Sequence, residues 1–212
     1  MLPAARDAFY AWHDHEHMPE RVSIPGFWRG RRYIAESGGP EYFNLYEADS
    51  PEVLSGPDYL SRLNAPTPWT KELVVSFRNV TRAICRVLYS TGVGQGGSML
   101  TLRFDLSPNQ AQNVSQLLCQ QVLPELAMAP GILGAHLCRA DENGSQIETA
   151  EKKARNQETR IPRWIVLIEG ISARAVQSGS DRLLQKLTDR GLALDDFDLG
   201  VYRLEAQRCK EP

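Results

Sequence analysis

The chain has 212 residues, of which 42% are hydrophobic and 24% charged, and its formal net charge is −2. This composition is typical of a globular protein. Basic side chains are not in excess, so nucleic acid is excluded as an expected partner. No apolar run approaches the roughly 20 residues that span a membrane, so we expect no membrane partner. Four scattered cysteines form no Cys-x-x-Cys pair, and the N-terminus is unlike a signal peptide, so we expect a reducing, cytoplasmic location.

The first half of the chain alternates between helical and strand patterns. Pro3 opens a helical stretch that ends before Pro25-Gly26, where a turn leads into a strand. Ser50-Pro51-Glu52 caps a later helical region. The strands predicted for this half are residues 26–35, 42–47 and 83–88.

The second half has the clearer pattern. Ser107-Pro108 starts a helix, and residues 141–160, which are polar and contain Asn143-Gly144, predict a mobile hairpin loop. The other predicted elements are strand 98–106, the helix to residue 123, strand 132–139, strand 164–169, helix 180–190 and strand 198–205. The order strand, helix, strand, strand, helix, strand is that of a ferredoxin-like unit.

A near-copy within the chain links the two halves. Residues 19–26 and 124–131 share Pro, Glu, Pro and Gly at matching positions, 105 residues apart. A repeat of this length is a whole small domain. We therefore predict an α+β fold of two tandem ferredoxin-like repeats that pair as an intramolecular α/β barrel. The predicted boundaries are repeat 1 at residues 1–90, a glycine-rich linker at 91–97 and repeat 2 at 98–212.

The repeat also predicts a strand before Pro3, where only Met1 and Leu2 stand. Two explanations are open: the natural product begins upstream, or the chain has lost that strand. A sheet without the strand exposes an edge or fills it from another chain. The expected quaternary state is therefore either a monomer with an internal pseudo-dimer or a homodimer.

The residues around the first predicted turn resemble a known superfamily. Residues 12–21 read Trp-His-Asp-His-Glu-His-Met-Pro-Glu-Arg, and Pro25-Gly26-Phe27 and Arg31-Arg32-Tyr33 follow. This stretch resembles the dimeric α/β-barrel superfamily, in particular its EthD-like and stress-responsive members, whose first helix ends in Glu-His-x-Pro. The resemblance implies two ferredoxin-like sheets packed face to face and small, largely apolar ligands between sheet and helices. Members include cofactor-independent oxygenases, lactone isomerases, polyketide cyclases, dehydratases and haem-modifying enzymes.

Histidines in the first helix are the predicted catalytic residues. His13 and His17 are four residues apart and share a helix face, whereas His15 points elsewhere. Histidine titrates near neutrality, and the resemblance implies that His17 lies at the mouth of the cleft, so we predict His17 first and His13 second as acid–base groups. The alternative is that His17 caps the helix C-terminus. Two imidazoles at this spacing can also bind a metal ion, but no third ligand is evident, so we predict no metal.

Strand alternation supplies the predicted ligand-binding residues, which are Arg31, Asn44, Tyr46, Trp69 and His136. Arg31 suits a carboxylate or enolate, and Asn44 and Tyr46 suit hydrogen bonds to the same head-group. His136 stands at the position in the second copy that matches Arg31. The competing interpretation is an internal salt bridge, in which Arg31 or Arg32 binds Glu20 or Glu47. Trp69 either covers the cleft or packs as a surface anchor.

The candidate functional polar side chains are concentrated in the first copy. At the positions of His13, His15 and His17, the second copy has Leu118, Gln120 and Val122. We predict a small-molecule enzyme with acid–base chemistry on an apolar or aromatic, carbonyl-bearing compound, of oxygenase, isomerase, cyclase or dehydratase type. We expect no tightly bound organic cofactor. One alternative is a ligand-binding or stress-related module without chemistry. The other is a metal- or haem-dependent enzyme that uses His13 and His17.

Overall fold

The computed structural model describes residues 1–194 and 196–210. The strands are β1 Phe27–Gly38, β2 Tyr42–Ala48, β3 Cys85–Gly92, β4 Ser98–Phe104, β5 Ile132–Ala140, β6 Trp164–Gly170 and β7 Phe197–Cys209. They join into one curled sheet with the order β2-β1-β7-β4-β6-β5-β3, in which every neighbouring pair is antiparallel.

Short helices flank this sheet. The α-helices are α1 Arg6–Trp12, α2 Met18–Ser23, α3 Pro57–Asn64, α4 Pro68–Val74, α5 Pro108–Leu117, α6 Leu123–Ala127, α7 Glu142–Gln146, α8 Ala150–Arg155 and α9 Ala173–Asp189. Single turns of 3₁₀-helix lie at Pro3–Ala5 and Val53–Ser55. Within the described residues, no helix combines the length and the apolar character needed to cross a membrane.

The strand order confirms the predicted α+β, ferredoxin-like fold. In the second half the order is β7-β4-β6-β5, which places the first strand of the unit between its third and fourth strands. The first half adds β1 to the free side of β7 and β3 to the free side of β5. Strands from both halves therefore build a single sheet, and that sheet places the first helical stretch over β1 and β2.

Each half contains a π-helical turn within its first helix, at His13–His17 and at Leu118–Val122. The two turns are 105 residues apart, which is the spacing of the sequence repeat. Both precede a proline, Pro19 or Pro124, whose ring crowds the carbonyl four residues before it. The wider π-helical turn relieves this crowding, so the local sequence explains the irregularity. We call His13–His17 the histidine turn.

The two faces of the sheet have different cores. On the outer face Leu100 and Leu102 of β4 pack with Val114 of α5 and Leu183 of α9. On the inner face strand residues alone form a second cluster, which is Tyr33, Met99, Cys138, Leu167 and Tyr202 with partly buried neighbours. The inner face is therefore filled by side chains and is not an open channel.

The prediction of a mobile hairpin loop at residues 141–160 is wrong, because this segment contains the helices α7 and α8. Side chains of Asp141 and Thr149 cap the two helices. The hydroxyl of Ser145 accepts from the backbone N–H of Ile84, and the segment is thereby attached to the strand region of the first half. The Asn-Gly pair lies inside α7, where tertiary contacts override its turn preference.

Several boundaries also differ from the sequence prediction. β3 runs to Gly92, so the first part of the predicted linker at 91–97 belongs to a strand that pairs with β5. α9 begins at Ala173 because Ser172 caps it, well before the predicted start at residue 180. β7 extends to Cys209 because it pairs with β1 beyond the end of β4.

Both edges of the sheet belong to the first half. Among the described strands, β2 pairs only with β1, and β3 pairs only with β5. In the second half the strand β4 lies between the corresponding strands, β6 and β7. The place that the repeat predicts for a strand before Pro3 is therefore the space between β2 and β3. That strand, and the division into two repeats, stay predictions.

Candidate functional site

The candidate site lies where the histidine turn faces β1 and β2. It consists of His13 and His17 from the turn, Arg32 from β1 and Tyr46 from β2, which we call the histidine cluster. Gly30 of β1 makes room for it, because a Cβ at that position would lie 2.6 Å from the Tyr46 ring. The sequence thus brings the tyrosine against the helix by leaving the facing position on β1 without a side chain.

His13 is 1% exposed and both of its ring nitrogens have neighbours. Nη1 of Arg32 lies 3.2 Å from Nδ1, and the Tyr46 hydroxyl lies 3.4 Å from Nε2. A guanidinium only donates, so Nδ1 accepts and the proton of the neutral ring is on Nε2. Burial and the charge of Arg32 lower the pKa of His13 to about 3. His13 is therefore a neutral imidazole at ordinary pH.

His17 differs from His13 in that its Nδ1 is buried and, within the described residues, has no hydrogen-bond partner. Its ring centroid lies 4.3 Å from Trp12, 5.4 Å from His13 and 6.1 Å from Tyr46. Burial, then the charge of Arg21 and the neighbouring His13, hold the pKa of His17 well below 6.5. His17 is therefore a second neutral imidazole, and its unpaired Nδ1 belongs to a ring that packs against Trp12.

Arg32 orients His13 while its own charge is balanced. Its guanidinium donates to Asp14 and lies 3.3 Å from Oε2 of Glu205. The same group stands 4.6 Å over the ring of Tyr10. A balanced and stacked guanidinium is held in one position, so Nδ1 of His13 always faces a donor.

Glu16 attaches the histidine turn to α4. Its Oε1 accepts from the hydroxyls of Thr67 at 2.6 Å and Thr70 at 3.0 Å, and from Nε1 of Trp12 at 3.2 Å. Thr67 is also the N-cap of α4. This carboxylate therefore has a positioning role, because its contacts fix the turn relative to the neighbouring helix.

Arg21 connects the cluster with the second half of the chain. Its guanidinium, 3% exposed, binds Glu151 of α8 at 2.6 Å and Glu20 at 3.1 Å. It also stands 5.5 Å from the ring centroid of Tyr59. Because this charge lowers the pKa of His17, the segment that holds Arg21 in place influences the site.

Among the predicted site residues, the structure brings together His13, His17 and Tyr46. Asn44 lies on β2 but its side chain is exposed, and Trp69, in the first turn of α4, is 37% exposed. The catalytic and ligand-binding roles of these residues stay predictions.

Arg31 and His136 lie on the opposite, inner face of the sheet. Arg31 binds Glu169 with two contacts of 3.0 and 3.2 Å, and binds Glu47 at 2.8 Å. Nδ1 of His136 lies 2.8 Å from the Ser90 hydroxyl, and its Nε2 lies 3.6 Å from Glu169. Burial would raise the pKa of Glu169, but contacts with His136 and Arg31 lower it to about 2. Arg31 therefore forms the internal salt bridge to Glu47 that was the alternative to ligand binding.

Sequence reasoning missed three parts of the site. Arg32 was assigned only to a salt bridge, although strand alternation places it on the same face as Gly30. The link from Glu16 to Thr67 and Thr70 had one signal, because Thr67-Pro68 is a helix start. The pairing of Arg21 with Glu151 joins residues 130 positions apart and had no sequence signal.

No group of three or more His, Cys, Asp or Glu side chains in the described part of the chain is arranged to hold a metal ion. His13 cannot share an ion with His17 in this geometry, because Arg32 and Tyr46 lie against its two nitrogens. Cys85 and Cys138 belong to the cluster on the inner face of the sheet.

Comparison with solved structures supports the fold. The chain is similar to a protein provisionally named a monooxygenase from Fusobacterium nucleatum, with a TM-score of 0.61 and 9% identity over 97% of this chain and 88% of that one. For a provisionally named monooxygenase from Lactobacillus acidophilus the TM-score is 0.59 and the identity 10%, over 98% of this chain and 90% of that one. For an anthrone oxidase-like protein the TM-score is 0.59 and the identity 12%, over 98% of this chain and 89% of that one. No protein-family model and no curated protein sequence matches the chain. At these identities the likeness shows the ferredoxin-like fold alone.

Proposed function

We propose that this chain is an oxygenase-type enzyme that acts on a small aromatic, carbonyl-bearing compound bound beside the histidine cluster. The observation on which this depends is the buried, unpaired Nδ1 of His17. A buried polar atom without a partner costs about 1–3 kcal/mol, and a ligand that supplies the partner removes that cost. The names of three structural neighbours, two monooxygenases and an anthrone oxidase-like protein, support the reaction class.

His17 is the proposed proton acceptor. Its pKa lies well below 6.5, so the ring is in its basic form at neutral pH. When a carbon acid conjugated with the carbonyl gives up its proton, the enolate that forms lies beside the new imidazolium and favours its charge. The ring of Trp12, buried and 4.3 Å from His17, gives this imidazole an apolar environment that favours its neutral form. Tyr46 is the proposed hydrogen-bond donor to the enolate oxygen.

Dioxygen is the second substrate of the proposed reaction. The enolate carbon transfers its electron pair to dioxygen in one-electron steps, and a carbon–oxygen bond forms. The peroxide so produced takes the proton back from His17, and loss of water yields a new carbonyl. The proton that His17 accepted ends on the peroxide, so the residue returns to its neutral form, and the second hydrogen of the carbon leaves in the water.

The test replaces His17 by glutamine and uses a hydroxylated anthrone as substrate. We expect the unaltered chain to consume oxygen, and His17→Gln to lower kcat/KM by about a hundredfold or more, which is typical of losing a general base. The matched control is His15→Gln, because His15 belongs to the same turn but its side chain is exposed. Oxygen uptake and product absorbance measure both.

Two results contradict the proposal. One is a folded His17→Gln protein with the kcat/KM of the His15→Gln control. The other is an unaltered chain that neither binds nor oxidises anthrones and related hydroxylated aromatic ketones. Binding without oxygen uptake would favour the alternative, a ligand-binding module. A visible spectrum with a Soret band, or stoichiometric metal in elemental analysis, would favour a haem- or metal-dependent enzyme.

A further inference from the structure

A small pocket lies between α3 and the segment that contains α7 and α8. Its volume is about 30 Å³, which is room for about two water-sized groups, such as two oxygens of a head-group, rather than for an aromatic ligand. The polar residues that line it include Arg82, Ser145, Thr149, Lys152, Arg155 and Thr159. Its lining includes neither histidine of the histidine turn, so it is separate from the proposed active site.

Two arginines of this pocket lack a carboxylate partner. Arg155 is 8% exposed, its Nη2 donates to the Thr159 hydroxyl, and its Nε is buried without a hydrogen-bond partner. Arg82 contributes one contact, from Nη2 to the Tyr59 hydroxyl at 3.3 Å. Within the described residues, neither guanidinium comes within 4.0 Å of a carboxylate oxygen. Buried charge of this kind is unfavourable unless a counter-ion is present.

The nearby acidic side chains are already engaged. Glu151 lines the pocket, but its carboxylate binds Arg21 at 2.6 Å. Glu148 binds Lys152 and its side chain is 60% exposed. Burial lowers the pKa of Arg155 despite the opposing charge of Glu151, and the charge of Arg82 adds a smaller lowering effect. The acidic side chains therefore do not offset the cost of burying this guanidinium.

We propose that Arg82 and Arg155 bind a small oxyanion, a phosphate or carboxylate group, in this pocket. Guanidinium groups present parallel N–H donors that match two oxygens of such an anion, and the free Nε of Arg155 supplies one of them. The anion bridges the first half of the chain, through Arg82, to α8. It would thereby fix the segment whose Glu151 holds Arg21 beside His17.

The test titrates the full chain with inorganic phosphate, sulfate and acetate at constant ionic strength set with chloride. We expect saturable 1:1 binding by calorimetry and a melting temperature that rises with the logarithm of anion concentration, because the anion binds only the folded state. Arg82→Gln and Arg155→Met should each weaken binding at least tenfold. The control is Arg163→Gln, since Arg163 is an exposed arginine with a surface ion pair.

The arms also separate the two sources of the oxyanion. Preference for phosphate and sulfate identifies a tetrahedral anion, and preference for acetate identifies a carboxylate. Arg82 is only partly buried, so Arg82→Gln remains informative if Arg155→Met does not fold. The proposal is overturned if chloride alone reproduces every effect, or if folded Arg82→Gln binds anions as the Arg163→Gln control does. Because the readout is anion binding, this result is independent of the proposed oxygenase activity.

Discussion

At the scale of single residues, the two histidines of one turn have different environments. His13 lies against Arg32 and Tyr46, whereas Nδ1 of His17 has no hydrogen-bond partner among the described residues. The spacing of four residues predicts that both share a helix face. It cannot predict which ring is free, because Arg32 and Tyr46 lie on strands that fold back against the helix.

Burial of neutral histidines makes stability depend on pH. The unfolded chain binds a proton at each ring below about pH 6.5, whereas folded His13 does so only near pH 3. The contribution of neutral His13 to the free energy of unfolding is therefore fully present above pH 6.5 and is lost as the pH drops from 6.5 towards 3. Each such histidine contributes a slope of up to about 1.4 kcal/mol per pH unit.

We expect His13→Gln to flatten the pH dependence of the free energy of unfolding, measured by urea denaturation between about pH 6 and pH 4. His15→Gln is the matched control, because it replaces an exposed histidine of the same turn. Carboxylates contribute equally to both variants, so the difference between them isolates the buried ring. Equal slopes for His13→Gln and the unaltered chain would show that the folded protein protonates His13 near its ordinary pKa.

At the scale of elements, strands were predicted well and short helices poorly. Alternation located all seven strands to within a few residues, because one face of each is filled by the core. α7 and α8 escaped prediction since their polar segment has no helical periodicity. Their stability comes from distant contacts such as Ser145 with Ile84 and Glu151 with Arg21.

The attachment of the histidine turn to α4 depends on Glu16. Glu16→Ala removes the acceptor of the Thr67 and Thr70 hydroxyls and leaves the buried Thr70 hydroxyl without that partner, whereas Nε1 of Trp12 keeps Oγ1 of Thr70 at 3.0 Å. We expect a loss of about 2 kcal/mol in the free energy of unfolding, and a smaller loss for Glu16→Gln, which keeps an acceptor oxygen. Chemical denaturation measures both. Glu72→Ala is the control on the exposed side of α4, and equal stability of Glu16→Ala and this control would refute the role of Glu16.

At the scale of the whole molecule, β7 and β5 join the two halves through their pairings with β1 and β3. A glycine pair lies in each of these two seams, Gly38 opposite Gly200 and Gly92 opposite Gly134. The sequence repeat predicted that the halves associate, but it could not predict these partners. Strands that pair across 42 residues, from Gly92 to Gly134, or across 162 residues, from Gly38 to Gly200, leave no local signal in the sequence. In the structure, the positive φ of Gly38 and of Gly92 marks the places where one backbone approaches another.

The seams make a prediction about Gly38 and Gly92, whose φ angles are +71° and +149°. A Cβ on Gly38 would lie 2.1 Å from the carbonyl oxygen of Leu199, and one on Gly92 would lie 2.2 Å from that of Leu133. Backbone cannot move aside as a flexible side chain does. We therefore expect Gly38→Ala and Gly92→Ala each to lower the free energy of unfolding by about 2–3 kcal/mol, measured by urea denaturation.

Gly39, which follows β1, and Gly97, which precedes β4, supply controls, because a Cβ at either position meets no atom within 4 Å. Gly39→Ala and Gly97→Ala should change stability by less than about 0.5 kcal/mol. If instead Gly38→Ala and Gly92→Ala are as stable as these controls, the two backbones do not approach each other as described. In that case the halves would associate by another register, and the position of the histidine turn over β1 and β2 would need a different explanation.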